Sequence, residues 1–210
     1  VGESANALNL RRLVPTESGM EIIFQYSGRQ FSIPLKVEGY FQAMNILCAA
    51  GLAIASGSPS EKVFEHLKDL RPIPGRLEFC GFSKTEAKIY VDYAHTPDAL
   101  TAALFSLREL TENKITLVFG CGGGRDRFKR PIMGEIAENF ADGIIVTDDN
   151  PRNEDSDKIR KSILETCPSA IEIPNRKEAI ITAINQGEKG DSILIAGKCH
   201  EKFQIISDKK

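Results

Sequence analysis

The hydrophobic pattern of the first third of the chain changes its period once. Residues 8–36 alternate apolar and polar positions over short lengths, with glycines between them, which predicts antiparallel β structure. Residues 41–55 are apolar almost all round and therefore predict a buried helix. Ser58 followed by Pro59 has the pattern of a helix N-terminus. A second helix is therefore predicted, with Ser58 as its N-cap and its end near Leu70.

A proline-rich segment separates this region from the rest of the chain. Residues 71–75 read Arg-Pro-Ile-Pro-Gly and admit neither a helix nor a central strand. We place a domain boundary just beyond this segment. The expected domains are residues 1–78 and residues 79–210.

Strand and helix patterns alternate through the second region. Short apolar runs predict strands at residues 87–93, 115–120, 143–147, 170–173, 192–196 and 203–206. Helical patterns lie between them, at residues 97–110, 131–140, 156–166 and 177–185. Thr96 and Pro97 are expected to cap and open the first of these helices. Repeated β-α units with short apolar strands predict an α/β fold with a mostly parallel, doubly wound, Rossmann-like sheet.

Composition narrows the classes of function. The chain has 27 basic and 29 acidic residues in a mixed order, with a net charge of -2, so no overall field favours nucleic acid or an anionic membrane. No apolar stretch approaches the roughly 20 residues of a membrane helix, and the first residues lack a signal-peptide core. A cytoplasmic protein is therefore expected, with no nucleic-acid partner and no membrane association. The five cysteines lack the paired spacing of a zinc site, so reduced, mostly buried thiols are expected.

Both ends of the sequence resemble the ends of a truncated polypeptide. The chain begins with Val1 and ends on charged residues directly after a strand-like segment. No Walker A sequence occurs in it, so the phosphate loop is expected elsewhere if nucleotide hydrolysis is part of the function. We therefore expect a fragment of a longer polypeptide.

Candidate chemistry lies at the carboxyl ends of four predicted strands, where ligands bind in sheets of this kind. The four stretches are residues 92–97 (DYAHTP), 120–127 (GCGGGRDR), 149–152 (DNPR) and 197–201 (GKCHE). Asp92, in the first stretch, has the position of a carboxylate that accepts from ribose hydroxyls. All four stretches are expected to lie together on one edge of the sheet.

Charged side chains in these stretches indicate a zwitterionic ligand. Pro151 ends the preceding strand, and Arg152 after it is suited to a bidentate contact with a carboxylate. A simple β-turn that begins at Asn150 is the alternative. The carboxylate of Glu201 is suited to accept hydrogen bonds from an ammonium group. The glycine run before Arg125 lacks the third glycine of a dinucleotide fingerprint, and a solvated basic loop is the other interpretation of that stretch.

Six segments, taken in order, resemble the Mur ligases, and among them the MurE-type members that add meso-diaminopimelate. They are GYFQAMNILCAA, PGRLE, VDYAHTPDAL, FGCGGGRDRFKRP, TDDNPR and AGKCHE, and they extend over nearly the whole chain. The resemblance implies the tail of a central ATPase domain at residues 1–78 and most of a Rossmann-like C-terminal domain at residues 79–210.

The resemblance further implies an ATP-dependent amide ligase of peptidoglycan synthesis. In that reaction the D-glutamate γ-carboxylate of a UDP-N-acetylmuramoyl dipeptide becomes an acyl phosphate, the diaminopimelate amine attacks it, and phosphate leaves. ATP, Mg²⁺ and a carbamylated lysine take part in the family. The phosphate loop, that lysine and the UDP site would precede Val1, so the chain is expected to be inactive alone.

The resemblance also assigns residues to sites. The implied meso-diaminopimelate pocket is formed by Arg125, Asn150, Arg152, Gly197 and Glu201. The implied nucleotide contacts are Asn45, Arg76, Asp92 and His95. No residue of this chain is implied to be catalytic or to bind a metal. Three positions depart from the family pattern, namely Gln42, Gly124 and Cys199; the last could narrow the pocket beside Glu201.

Two other interpretations stay open. A related ligase, such as a folylpolyglutamate synthetase or another Mur ligase, shares the general pattern, but the sequence DNPR argues against it. A non-catalytic module that only binds the amino acid is the interpretation from a different class. Phosphate release from ATP would separate the two classes, and none is expected from this chain by itself.

Overall fold

A computed structural model describes residues 1–16 and 19–198 together with Gln204. The chain forms two compact units, Val1–Pro72 and Ile73–Lys210, whereas the sequence placed the boundary between residues 78 and 79. The predicted strand at 203–206 lies outside the described residues apart from Gln204. None of the helices in the described part has the length and hydropathy of a membrane span.

The first unit combines a small antiparallel sheet with two helices. Its strands are β1 (Leu8–Thr16), β2 (Gly19–Tyr26) and β3 (Arg29–Leu35), in the order β1-β2-β3. Its helices are α1 (Tyr40–Ala55) and α2 (Ser60–Leu67). Leu47 of α1 and Phe64 of α2 share one core with Phe24 of β2, whose ring lies 5.0 Å from that of Phe64. The predicted antiparallel structure and the helix itself are thus confirmed, but only one face of α1 is buried, and Leu52 of this helix is 70% exposed.

The predicted start of the second helix is wrong in detail. Pro59, in an extended conformation, is the N-cap of α2, and no side chain caps the helix. The backbone N–H of Ser58 donates to the carbonyl of Ala53 at 3.1 Å, so Ser58 closes the end of α1. Helix α2 ends at Leu67, before the predicted Leu70, because the following N–H groups make only tight turns to His66 and Leu67.

The second unit contains one six-stranded sheet in the order β4-β5-β9-β6-β7-β8. The strands are β4 (Glu78–Phe82), β5 (Lys88–Asp92), β6 (Ile115–Phe119), β7 (Gly143–Val146), β8 (Ile171–Glu172) and β9 (Ser192–Ala196). Strand β4 pairs antiparallel with β5, and all other neighbours are parallel. This confirms the predicted α/β class and its mostly parallel sheet.

Four helices connect these strands, namely α3 (Pro97–Arg108), α4 (Lys129–Phe140), α5 (Ser156–Leu164) and α6 (Arg176–Gln186). The first three pack on one another in sequence order. Helices α3, α4 and α5 carry the chain across the sheet toward β8, whereas α6 carries it back from β8 to β9. Because crossovers between parallel strands are right-handed, α6 lies on the face of the sheet opposite to the other three helices. There Ala179 and Ala183 of α6 share a core with Val118, Ile145 and Ile193. Both faces of the sheet are therefore covered.

The sequence analysis missed strand β4. Phe79 and Phe82 on this edge strand are 43% and 62% exposed, and Gly81, at φ 123°, follows an irregularity in the register with β5. The bulge breaks the alternation of apolar and polar positions on which strand prediction depends.

Candidate functional site

Loops that follow four parallel strands border a single cavity of about 570 Å³. His95 follows β5, Arg125 follows β6, Asn150 and Arg152 follow β7, and Gly197 follows β9, and all five line the cavity. Strand β9 lies between β5 and β6 in the sheet, so the strand order changes direction beside this cavity. Open α/β sheets bind ligands at such a topological switch point. The prediction that the four stretches meet on one edge is confirmed for their described residues, which exclude 199–201.

The structure describes eight of the nine residues predicted for the sites, and Glu201 lies outside the described residues. The four described members of the predicted amino-acid pocket, Arg125, Asn150, Arg152 and Gly197, all line the cavity. Of the predicted nucleotide contacts, His95 lines it too. Asp92 and Arg76 belong to the same unit, and Asn45 lies on α1 of the first unit.

Arg152 is held in a fixed place by backbone groups. Its φ of 51° is in the left-handed region, which is uncommon for a residue with a side chain. Its Nη1 donates to the carbonyl of Gly123 at 2.8 Å and to that of Asn150 at 3.4 Å. The N–H of Glu154 donates to the carbonyl of Pro151 at 3.0 Å. The hydrogen-bonded turn therefore begins at Pro151, one residue later than the β-turn that the sequence analysis considered, which begins at Asn150. The guanidinium is therefore pre-organised at the cavity wall.

Asn150 is buried and its side chain has a defined orientation. Only 2% of the residue is exposed, and Lys198 Nζ donates to its Oδ1 at 2.8 Å. Because an ammonium group only donates, the amide oxygen must face Lys198. The Nδ2 group is then the donor end of this side chain.

Glycines let the loops after β6 and β7 touch through their backbones. A Cβ atom at Gly120 would lie 2.1 Å from the carbonyl oxygen of Thr147, and one at Gly123 would lie 2.0 Å from that of Pro151. No side chain fits at such distances, so the glycine run here serves the contact between two loops. Gly197, at φ 103°, lines the cavity, and a Cβ there would lie 3.1 Å from Asp149 Oδ2.

Ion pairs separate the arginines of this edge into two groups. Arg127 Nε and Arg130 Nη2 contact Glu154 Oε2 at 3.3 and 3.1 Å. Arg125 and Arg152 form no ion pair with any residue that the structure describes. The two arginines that line the cavity are therefore the ones whose charge is left for an anionic ligand.

The two aspartates after β7 also have different surroundings. Asp148 pairs with the buried Arg160 of α5, which also contacts Asp157 and Glu172. Asp149 lines the cavity, and its Oδ1 accepts from the N–H of Asn150 at 2.5 Å. One carboxylate thus stabilises the sheet edge and the other belongs to the site.

Asp92 connects the end of β5 to the segment before β4. Its carboxylate accepts from the N–H of Leu77 at 2.6 Å and from that of Ala94 at 2.7 Å. Burial raises the pKa of Asp92, and these two hydrogen bonds with the charge of Arg76 act in the opposite direction. Both oxygens are engaged with backbone groups, so the predicted ribose contact stays a prediction that would use their remaining lone pairs.

A cluster of three side chains, Arg76, Tyr93 and His95, adjoins this end of the cavity. The guanidinium of Arg76 lies 4.8 Å from the ring centroid of Tyr93, and the rings of Tyr93 and His95 are 4.5 Å apart. His95 Nδ1 lies 2.9 Å from the carbonyl of Tyr93, and Lys129 Nζ donates to the carbonyl of His95 at 2.6 Å. Arg76 and His95, predicted separately, are thus joined through Tyr93.

Glu154 and Lys198 contact residues of the site, and the sequence analysis assigned neither a role. Their partners, Arg130 and Asn150, lie 24 and 48 residues away in the chain, so no local pattern indicates the contacts. Among the described residues there is no group of three or more His, Cys, Asp or Glu side chains that could hold a metal ion.

Comparison with known proteins matches residues 75–199 to the family described as Mur ligase, glutamate ligase domain. The UDP-N-acetylmuramoyl-L-alanyl-D-glutamate–2,6-diaminopimelate ligase of Zymomonas mobilis subsp. mobilis is 49% identical over 206 residues, which are 98% of this chain and 42% of that protein. The ligase of the same name from Chelativorans sp. is 46% identical over 210 residues, 100% of this chain and 44% of that protein. The chain thus spans less than half the length of these relatives.

Solved structures agree with the architecture. A ligase of the same name is 33% identical, with a TM-score of 0.65 over 97% of this chain and 42% of that one. The MurF ligase from Thermotoga maritima in complex with ADP has a TM-score of 0.72 at 19% identity, over 93% of this chain and 44% of that one. The second likeness concerns the fold alone.

Proposed function

The chain belongs to the Mur ligase family, and on this premise we propose that it forms the amino-acid-binding part of a MurE-type ligase that adds meso-diaminopimelate. The observation that carries the proposal is the cavity with Arg125 and Arg152, the two arginines of this edge whose charge no described carboxylate takes up. The relatives named above are called diaminopimelate ligases. Cationic side chains at fixed positions suit an amino acid with a second carboxylate.

The proposed reaction joins an amine to an activated carboxylate. ATP phosphorylates the γ-carboxylate of UDP-N-acetylmuramoyl-L-alanyl-D-glutamate, the amine of diaminopimelate attacks the acyl phosphate, and phosphate leaves as the amide forms. The task of this chain is to hold the amine donor, because a fixed orientation lowers the entropic part of the barrier. Arg152 and the Nδ2 group of Asn150 would bind the far carboxylate, with Arg125 close by. Glu201 and Gly197 would complete the pocket.

Selection against L-lysine follows from the same contacts. L-Lysine lacks the far carboxylate, so a guanidinium held at the cavity wall would lose its charged partner. A hydrogen bond to a charged group contributes about 1.5–3 kcal/mol, and a site built to bind a polar group rejects an analogue that lacks it. The sequence DNPR therefore acts as a selectivity element.

The nucleotide contacts of this chain are proposed at His95, Arg76, Asp92 and Asn45. His95 lines the cavity and Arg76 is joined to it through the Tyr93 ring, which provides cationic and aromatic surface for ATP. The described residues contain no group of three or more His, Cys, Asp or Glu side chains placed to hold a metal ion, and we assign none of them to Mg²⁺.

Calorimetric titration with meso-diaminopimelate and with L-lysine tests the proposal. We expect the chain to bind meso-diaminopimelate at least about tenfold more tightly than L-lysine. A free-energy difference of about 1.5 kcal/mol, the contribution of one hydrogen bond to a charged group, corresponds to that ratio of dissociation constants. The matched assay measures which of the two amino acids, at equal concentration, a ligase containing this chain joins to the dipeptide substrate. Equal use of both amino acids, or a preference for lysine, would contradict the proposed selectivity.

A further inference from the structure

We propose that Glu154 is a positioning residue for the amino-acid site, which fixes the loop that carries Arg125 against the turn that carries Arg152. The inference rests on the proposed function, because it takes these two arginines as the partners of the ligand. Glu154 itself is not expected to touch the amino acid. Its carboxylate acts through the backbone and through Arg130.

The carboxylate of Glu154 joins the two loops directly. Its Oε1 accepts from the N–H of Gly124 at 2.6 Å, the residue immediately before Arg125. Its own N–H donates to the carbonyl of Pro151 at 3.0 Å, so Glu154 is part of the turn that contains Arg152. Glu154 therefore links the backbones that carry the two arginines, in addition to the hydrogen bond from the Gly123 N–H to the Asn150 carbonyl at 2.8 Å.

A buried arginine holds this carboxylate in place. Arg130 of α4 is 4% exposed, and its Nη2 contacts Oε1 and Oε2 of Glu154 at 3.2 and 3.1 Å. The same Nη2 lies 3.4 Å from the carbonyl of Gly122, at the start of the loop. Arg127 adds a contact from a side chain that is 71% exposed, where an ion pair contributes little.

Glu154 also separates the charges of this edge. Its negative charge is shared by Arg127 and Arg130, which leaves Arg125 and Arg152 as the cavity-lining arginines without a described carboxylate partner. Without that charge, the buried Arg130 would have no carboxylate among its described partners, and a buried guanidinium without one is costly. The local charge pattern thus directs an anionic group to the two cavity arginines.

The Glu154 contacts are expected to persist at neutral pH. The hydrogen bond from Gly124 lowers the pKa of Glu154, and Arg130 and Arg127 lower it further against the effect of burial. A carboxyl pKa that is lower in the folded state contributes stability above the unfolded pKa of about 4.3. That contribution is lost only as pH falls through the lowered pKa of the folded state.

The test compares Glu154→Gln with Glu138→Gln. Glu138, like Glu154, is a half-buried glutamate. It accepts hydrogen bonds from another loop, from Ser169 N at 3.3 Å and from Ser169 Oγ at 2.8 Å, but it does not line the cavity. We expect E154Q to bind meso-diaminopimelate about tenfold more weakly, or ~1.4 kcal/mol, and E138Q to bind it as the unchanged chain does. Thermal unfolding shows that both variants are folded at the titration temperature.

A double-mutant cycle separates positioning from general destabilisation. If Glu154 acts through Arg125, then E154Q should weaken binding much less when Arg125→Ala is already present. If the affinity loss in the double variant equals the product of the losses in the two single variants, the inference is overturned. An E154Q variant with unchanged affinity would also overturn it.

Amide hydrogen exchange tests the loop contact without any ligand. We expect the Gly124 N–H to exchange faster in E154Q and at an unchanged rate in E138Q. Unchanged exchange in E154Q would overturn the inference whatever the titrations show. A chain that binds lysine as tightly as diaminopimelate would overturn the proposed function, and faster Gly124 exchange in E154Q would still support the loop contact.

Discussion

Replacement of Arg152 by alanine is expected to weaken binding of meso-diaminopimelate roughly 10- to 150-fold, and to leave binding of L-lysine nearly unchanged. The expected loss is that of one hydrogen-bonded charged contact, about 1.5–3 kcal/mol. L-Lysine has no far carboxylate and loses nothing by the change. Calorimetric titration of the variant with both amino acids measures the two effects in one experiment.

The matched control is Arg108→Ala. Arg108 also donates to two backbone carbonyls, those of Asn113 at 3.0 Å and Phe140 at 3.4 Å, but it lies at the carboxyl end of α3 and does not line the cavity. Arg152→Lys keeps a cation but not the planar, two-pronged donor, so part of the loss should persist. The assignment of Arg152 to the far carboxylate is wrong if R152A and R108A have the same affinity.

Gly134→Ala is expected to destabilise the second unit by about 1–3 kcal/mol, the usual cost of overpacking. Gly134 lies in α4, and a Cβ atom there would be 2.4 Å from the carbonyl oxygen of Ile163 and 2.5 Å from Thr166 Oγ1. The first of these is backbone, so α4 and α5 must move apart. Urea unfolding followed by circular dichroism measures the change.

Gly51→Ala in α1 provides the comparison. A Cβ atom at Gly51 would meet only side-chain methyl groups, of Val1 at 3.0 Å and Leu8 at 3.3 Å, and alanine favours a helix over glycine by about 1 kcal/mol. We expect G51A to be neutral or stabilising. Equal destabilisation by both substitutions would contradict the role of Gly134 in the contact between α4 and α5.

The general architecture could be predicted because apolar residues recur at different spacings in strands and in helices. The short apolar run at residues 144–146, followed by Pro151, predicts a buried strand that ends before the site, and the structure confirms β7 there. The start of α2 was misplaced because Ser58 before a proline has the same local pattern whether it closes one helix or opens the next. Local signals of this kind give no information on which backbone groups a residue finally bonds.

The strand and helix patterns alone predicted only the location of the site, and the individual residues were assigned by the resemblance to the Mur ligases. The rule for strand ends in parallel sheets selected the correct loops, but it did not distinguish among Arg125, Arg127 and Arg130, which are neighbours with the same chemistry. Among the described ion pairs, Glu154, in the turn after β7, pairs with Arg127 and Arg130 and leaves Arg125. Contacts between residues so far apart in sequence are a property of the folded sheet edge.

The backbone contact between the loops after β6 and β7 bears on how the specificity of this site could evolve or be engineered. Gly120 and Gly123 leave no space for a Cβ atom against Thr147 and Pro151, so a longer or bulkier loop on one side would require a compensating change on the other. Single substitutions of the cavity side chains meet no such restriction. Acceptor preference should therefore diverge through point changes at positions such as 125 and 152, while loop lengths stay constant among ligases with different amino-acid substrates.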